Sequence, residues 1–267
     1  MELTELEQYY DTVPRRFATI EEVGPFTLFL DASAGWPWYA RPRLGGPGRY
    51  DAAAVAALLA RMRELGVPET IEWTHDVAPG LVDAVRAEGS LDALEELPLM
   101  VLRGDPPRNE PPAGVTVRML GPHDEDLLVS TSGVARLAFG PPRDQPTGAA
   151  DRDAAGRPPS PSAIELLRGG EARIAVVVDP DRGVLATGRH IPVGAVSEVV
   201  GVATLPAEQG RGLASAVTRA LVADAAEHGV RTLFLTAGTE RVARIYGRLG
   251  FHRVGTGYVA ERASPTV

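Results

Sequence analysis

Hydrophobic positions in this chain alternate between two periods, and the changes of period mark out elements. Val115-Thr116-Val117-Arg118-Met119 alternates with the period of two that predicts a strand. Asp124 to Phe139 returns its apolar residues at helical spacing, and Ile164 to Arg168 reads as a second, short helix. Between them, Gly140 to Ser162 is rich in Pro and Gly and predicts a long loop, broken at most by a short helix. Three strands follow, Arg173 to Val178, Gly183 to Ile191 and Val196 to Thr204, with turns at Asp179-Pro180-Asp181-Arg182-Gly183 and Pro192-Val193-Gly194. Leu213 to His228 predicts a helix, Val230 to Thr236 a strand, Thr239 to Leu249 a helix and Arg253 to Ala260 a last strand.

The first part of the chain is patterned less sharply. Phe26 to Leu30 reads as a strand, and Val55, Leu58, Leu59, Met62 and Leu65 fall on one helical face. Glu69 to Thr74 reads as a strand, Leu81 to Ala87 as a helix and Pro98 to Leu102 as a strand. Then Gly104 to Gly114 carries four prolines in eleven residues, which excludes helix and central strand. The expected division is a domain over 1–103, a Pro-rich linker over 104–113 and a second domain over 114–267. Both parts contain the series helix, Gly-Val, strand, helix, Gly. The glycines of that series are Gly66 and Gly89, 23 residues apart, and Gly229 and Gly250, 21 apart. This predicts an internal repeat whose N-terminal copy is partial and degenerate. Trp36-Pro37-Trp38-Tyr39 is expected in a core or an interface rather than in a pocket.

The most informative six residues are Gln209-Gly210-Arg211-Gly212-Leu213-Ala214. They join a strand to a helix through a Gly-containing turn, which aims main-chain N–H groups and the positive end of the helix at one point. No Gly-Lys-Ser/Thr follows, and the glycines do not fit G-x-G-x-x-G, so neither common phosphate motif is present. The letters do fit Gln/Arg-x-x-Gly-x-Gly/Ala. Downstream, Ala243-Arg244-Ile245-Tyr246-Gly247-Arg248-Leu249-Gly250-Phe251 fits A-x-x-x-Tyr-x-x-x-Gly-Phe. With Thr204-Leu205-Pro206 at the strand end, the chain resembles the GNAT N-acetyltransferases over roughly residues 114–262. The resemblance implies an α/β fold built on a mixed sheet, the GNAT acyl-CoA N-acyltransferase fold, in the order β-α-α-β-β-β-α-β-α-β. It also implies acetyl-CoA as co-substrate and direct attack by an amine in a ternary complex, with no metal.

The same resemblance assigns residues. The N–H groups from Gly210 through Arg211, Gly212, Leu213 and Ala214 to Ser215, after Gln209, are expected at the pyrophosphate; a plain tight turn is the alternative. Val202, Ala203 and Thr204 are expected along the pantetheine arm, with one N–H polarising the thioester oxygen. Tyr246, four residues before Gly250, is the candidate general acid, unless it is a packing aromatic. Glu198, eleven residues before Gln209, is the candidate base, alone or through a water, unless it is a strand-end carboxylate in solvent. Its strand parity puts it on one face with Val200, Val202 and Thr204. Thr239 stands where the family often has an Asn that helps hold pantetheine. His190 is expected as a plain strand histidine. The N-terminal copy lacks the phenol, with Val85 in its place. Its look-alike loop Arg43-Leu44-Gly45-Gly46-Pro47-Gly48 loses an N–H donor at Pro47.

Composition narrows the partners. A net charge of −8 argues against nucleic acid. The absence of Cys removes disulfides, thiolate nucleophiles and Cys-ligated zinc, and the five histidines show no zinc spacing. There is no run of 18 apolar residues, and Met1-Glu2-Leu3-Thr4-Glu5 is unlike a secretory signal, so a cytoplasmic protein off the membrane is expected. All 27 basic residues are Arg and Asn109 is the one Asn, which suggests a GC-rich, actinobacterial-looking bacterial genome. The acceptor is expected to be a small-molecule or peptide amine selected by residues 121–168 and by the N-terminal copy. A homodimer stays open, and a non-catalytic acyl-CoA-binding regulatory module is the rival reading.

Overall fold

The computed structural model describes residues 2–31, 38–104, 111–141 and 145–262. The elements in chain order are α1 (Glu2–Arg15), β1 (Ala18–Val23), β2 (Phe26–Asp31), β3 (Tyr39–Pro42), α2 (Ala52–Leu65), β4 (Thr70–Thr74), α3 (Leu81–Glu88) and β5 (Ala93–Leu102). There follow β6 (Thr116–Leu120), α4 (Glu125–Ala138), α5 (Ala149–Ala155), α6 (Pro161–Arg168), β7 (Arg173–Asp179), β8 (Gly183–Val193) and β9 (Val196–Thr204). A 3-10 turn (Pro206–Glu208), α7 (Leu213–Glu227), β10 (Thr232–Thr236), α8 (Glu240–Gly247) and β11 (Phe251–Glu261) complete the chain.

Two compact units form. The first gathers the described residues of 1–100, 236–243 and 253–267, and the second those of 101–235 and 244–252. The grouping is not linear in sequence. Most of β11, read from the sequence as the last strand of the C-terminal part, lies in the first unit. There it runs antiparallel to β4, with Tyr258 opposite Trp73. Their rings stack at 5.0 Å.

In the first unit the strands lie in the order β1-β2-β3-β4-β11-β5. Phe26, Leu28, Ile71 and Trp73 bury one face against Leu58, Leu59 and Met62 of α2 and Leu81 of α3. Helix α2 is defined at both ends, since Asp51 accepts the Ala54 N–H at 2.8 Å and Gly66 closes the helix at φ 67°. The opposite face, where it meets α1, mixes buried apolar and aromatic side chains with charged ones. Arg41, buried, pairs with Glu7 at 3.1 Å and lies 4.1 Å from the Tyr10 ring centroid. Tyr39 is buried against Phe29, as expected for an aromatic of the core, but Trp38 is exposed, against that expectation; Trp36 and Pro37 lie outside the described residues.

The second unit orders its strands β10-β9-β8-β7-β6. Helix α7 packs across β7, β8 and β9, and Gly188 permits it: a Cβ there would lie 2.8 Å from Val217 and 3.3 Å from Leu221. Helices α4 and α5 close at Gly133, whose missing side chain would overlap the Arg152 carbonyl. Arg152, buried, donates from Nη1 to the carbonyls of Arg182 and Val184 at 2.6 and 2.7 Å. The element order β-β-β-α-β-α-β thus occurs twice, as β1-β2-β3-α2-β4-α3-β5 and as β7-β8-β9-α7-β10-α8-β11. In each run the first two pairings are antiparallel and the third, across a helix, is parallel.

Candidate functional site

The site starts from β9, whose two edges differ. Against β8 it pairs antiparallel from Val196 to Thr204, with a register shift between Thr187 and Arg189. Gly201, at φ 62°, makes the shift, because Gly201 and Val202 together oppose Gly188. Against β10 the parallel pairing covers Val196, Ser197 and Glu198 and ends at Phe234↔Glu198 among the described residues. Residues 199–204 run on past it. Leu205 donates to the Leu185 carbonyl at 2.9 Å, so by alternation Ala203 turns its main chain to β8. Val202 and Thr204 turn theirs to the open edge. Of the three residues expected along pantetheine, Val202 and Thr204 therefore turn main-chain groups to the edge that pairs with no strand beyond Glu198 among the described residues, and Ala203 does not.

The bulge corrects the expected face. Ser197 and Val199 lie on the α7 side, since Ser197 meets His190, which opposes Val199 and bonds to Asp224 of α7. Glu198 and Val200 therefore face away from α7. Past Gly201 the parity flips, and Val202 reaches the Gly188 site beside Val217 and Leu221 of α7. Thr204 follows Val202 by alternation. Glu198 thus shares its face with Val200 but not with Val202 or Thr204. It is half-buried between two apolar cross-strand neighbours, Ile191 and Phe234. The Thr204 hydroxyl is buried and no protein group meets it among the described residues.

Beyond Thr204 the chain makes the short 3-10 turn and enters the six-residue loop. Gly210 and Gly212 have φ of 80° and 78°, where a side chain is strained, and no heavy atom crowds the Cβ position of Gly210. Gly212 is the N-cap of α7 and makes no side-chain cap, and the first turn holds no acidic residue. The first helical bond runs from Ala216 N–H to the Gly212 carbonyl, so Leu213, Ala214 and Ser215 keep the N–H groups that a helix leaves unpaired at its start. Gln209, Gly210 and Arg211 are exposed. The cradle is therefore open and lined by donors, with no acidic residue in the first turn of α7, and it fits a pyrophosphate. In the first unit the look-alike loop does not. Asp51 already places a carboxylate on the first turn of α2, and Arg43 is paired with Glu22 at 2.7 Å.

Tyr246 sits on α8, edge-on to Phe251 at 5.8 Å between centroids. Burial pushes its phenol up to about 12, so it holds its proton at neutral pH. Thr239 caps α8: its hydroxyl accepts the Val242 N–H at 3.2 Å. A cavity of about 590 Å³ opens between α4 and α5, lined by Leu137, Phe139, Ala154, Ala155, Arg136 and Asp151, within the span expected to select the acceptor.

His190 belongs to a buried network that the sequence did not suggest. Its Nδ1 lies 2.8 Å from Ser197 Oγ and its Nε2 lies 2.9 Å from Asp224 Oδ2. Arg173 donates twice to Asp224, at 2.8 and 2.5 Å. The residue types are those of a hydrolase triad, but Ser197 and His190 are both 0% exposed, so no substrate reaches the hydroxyl. The network ties α7 to β7, β8 and β9. Burial lowers the His190 pKa more than Asp224 raises it, while Arg173 and His190 hold Asp224 low against its own burial. A neutral imidazole fits, with Nε2–H donating to Asp224 and Nδ1 accepting from Ser197. As pH falls through the unfolded value of about 6.5, the unfolded chain takes up a proton that the folded one refuses. Stability present above that pH is therefore lost below it. Thermal melts from pH 7.5 down to 5 should show the decline, and His190→Gln should flatten it. An equal slope in the variant would assign the decline to other groups.

Residues 139–251 match the family model described as the acetyltransferase (GNAT) family. Three solved structures share the fold over most of their length. A GCN5-related N-acetyltransferase from Kribbella flavida is 22% identical, covering 98% of this chain and 96% of its own, with a TM-score of 0.72. One from Sphaerobacter thermophilus is 18% identical, covering 91% and 79%, with a TM-score of 0.58. A tandem GNAT protein from the clavulanic acid biosynthesis pathway is 17% identical, covering 90% and 79%, with a TM-score of 0.56. No curated protein sequence matches the chain. The fold is the GNAT fold, an α/β arrangement on a mixed sheet. Among the described residues no helix is long and apolar enough to cross a membrane, and no group of His, Asp and Glu side chains is placed to hold a metal ion.

Proposed function

We propose, from the match of residues 139–251 to the acetyltransferase (GNAT) family model, an N-acetyltransferase that moves an acetyl group from acetyl-CoA to an amine. One observation carries the reading. The unpaired edge of β9 beyond Glu198 leads directly into a two-glycine loop and an uncapped helix start. A pantetheine arm is a strand-like chain ending in a pyrophosphate, and this order of groups matches it. Bound acetyl-CoA supplies an acetyl thioester with a thiolate leaving group.

The chain's own residues do the rest. Main-chain N–H groups of Val202 and Thr204 border the arm, and one of them polarises the thioester oxygen. The loop from Gln209 to Ser215 holds the pyrophosphate. Glu198 takes a proton from the acceptor ammonium, directly or through a water, so that the neutral amine attacks the thioester carbon, and Tyr246 Oη–H faces the departing sulfur. Thr239 serves by capping α8 and so fixing the helix that carries Tyr246. We read residues 1–103 as a partial copy of the same fold with no cofactor site, kept as a partner that shapes acceptor choice.

The test is calorimetric titration with acetyl-CoA followed by a turnover screen over amines. One molecule bound per chain, with turnover on at least one amine, is expected; two per chain would overturn the reading of the first unit. Binding with no turnover on any amine would leave the acyl-CoA-binding regulatory module. Glu198→Gln keeps shape and removes the base. Its loss of rate should be greatest at low pH, where a basic acceptor is protonated, and should shrink as pH nears the amine's own pKa. An unaltered pH profile would return Glu198 to a structural strand residue.

A further inference from the structure

Arg211 is the cation of the loop, and its guanidinium is already engaged. Nη1 donates to Oε2 of Glu208, in the preceding 3-10 turn. The other carboxylate oxygen of Glu208 accepts from Arg182 Nη1 at 2.7 Å. Arg182 is held in turn by Asp179, whose Oδ2 accepts from Nε at 3.1 Å and from Nη2 at 2.5 Å. Asp179 Oδ1 accepts the N–H groups of Asp181 and Arg182, both at 3.0 Å, so the turn between β7 and β8 fixes that carboxylate. Arg182 and those N–H groups push the Asp179 pKa down to about 2, so it is ionised at any working pH. The four side chains make an alternating line, Asp179, Arg182, Glu208, Arg211, with no net charge. Its free end lies in the loop. Glu208 is shielded, at 13% side-chain exposure, whereas Arg211 is open at 39%.

Resting on the reading of this loop as a pyrophosphate site, we propose that Glu208 is an affinity-setting latch, which neutralises Arg211 and competes with the pyrophosphate of CoA for its guanidinium. A pyrophosphate, with one negative charge on each phosphate, drawn to the N–H groups of Gly210 to Ser215 meets Arg211 between the two glycines. It also meets the Glu208 carboxylate across that same guanidinium. Binding therefore exchanges an internal ion pair for an arginine–phosphate pair against the repulsion of a fixed carboxylate. The latch senses only the phosphates, so it weakens acetyl-CoA and the product CoA alike and favours release of the product.

The test is titration of the full chain by calorimetry at low salt, with acetyl-CoA, CoA and 3′-dephospho-CoA as probes. Glu208→Gln should tighten all three on the order of 3- to 10-fold, and added salt should shrink the gain. In an Arg211→Gln background the same change should gain clearly less, because the competition is gone. Arg182→Gln, which leaves Glu208 to Arg211 alone, should weaken binding and gives an independent variant. A wild-type chain that binds no acetyl-CoA would overturn the loop reading together with the latch. A wild type that binds while Glu208→Gln binds no tighter would overturn the latch alone. An equal gain with and without Arg211 would reduce Glu208 to a general field effect and overturn it too. A gain lost on 3′-dephospho-CoA would move Arg211 away from the pyrophosphate and refute that contact.

Discussion

Gly212→Glu should abolish measurable acetyl-CoA binding, a loss above about 100-fold, while leaving the chain folded. Gly212 is at φ 78° and begins α7, where a side chain costs about 1–2 kcal/mol in backbone strain. That strain falls on an exposed turn and is partly offset, because a carboxylate near a helix N-terminus interacts favourably with the unpaired N–H groups. The same favourable contact is what removes binding: the new carboxylate occupies the donors that the pyrophosphate requires and repels it. Melting should therefore shift by only a few degrees. Gly212→Ala separates the parts, since it adds the strain without the charge and should cost far less affinity. Binding of acetyl-CoA by Gly212→Glu within a few-fold of wild type would mean that the pyrophosphate does not sit at this loop.

The parts of this site that were legible in the sequence are those encoded locally. The strand, the two-glycine turn and α7 follow from a change of apolar period and from glycines at positions where the backbone adopts positive φ. The faces of β9 were not legible by simple alternation, because Gly201 inserts a bulge. The signal was present as a glycine inside a strand. Helix α1 carries its signal in Leu6, Tyr9, Tyr10 and Val13 at helical spacing, of which Leu6, Tyr9 and Val13 are buried. Strand β3, four residues ending in Pro42, is too short to show a period. The pairing of β11 with β4 joins residues far apart in sequence, and no local pattern specifies it. The Arg173–Asp224–His190–Ser197 network is of the same kind. Its one local sign was an Asp on the buried side of α7, beside Leu221, Val222 and Ala225.

The line of charges from Asp179 to Arg211 shows why local motif reading stops short of energetics. The motif gives the donors of the loop, but the Arg182 and Asp179 that reach Glu208 come from the turn between β7 and β8. Affinity at such a loop is a balance of its own N–H groups against charges supplied by another part of the sheet.

Tyr246→Phe should lower turnover on the order of 10²-fold with acetyl-CoA affinity little changed. The substitution removes one hydroxyl and keeps the ring that stands edge-on to Phe251 at 5.8 Å, so packing of α8 is preserved. The size of the effect follows from the pKa. A phenol pushed up to about 12 by burial is a weaker acid than an ordinary thiol, whose pKa is about 8.5. Full transfer to a thiolate is uphill by the difference, which favours the lower end of the range for acid catalysis, with hydrogen bonding to the developing charge as the main contribution. The same raised pKa has a consequence for the pH profile. Tyr246 keeps its proton throughout the range below about pH 11, so a basic limb between pH 8 and 10 must arise from another group and should persist unchanged in Tyr246→Phe. The measurement is single-turnover kinetics with saturating amine, where chemistry rather than product release limits the rate. Full activity of the variant under those conditions would leave Tyr246 as a packing residue of α8 and would move the search for the acid elsewhere.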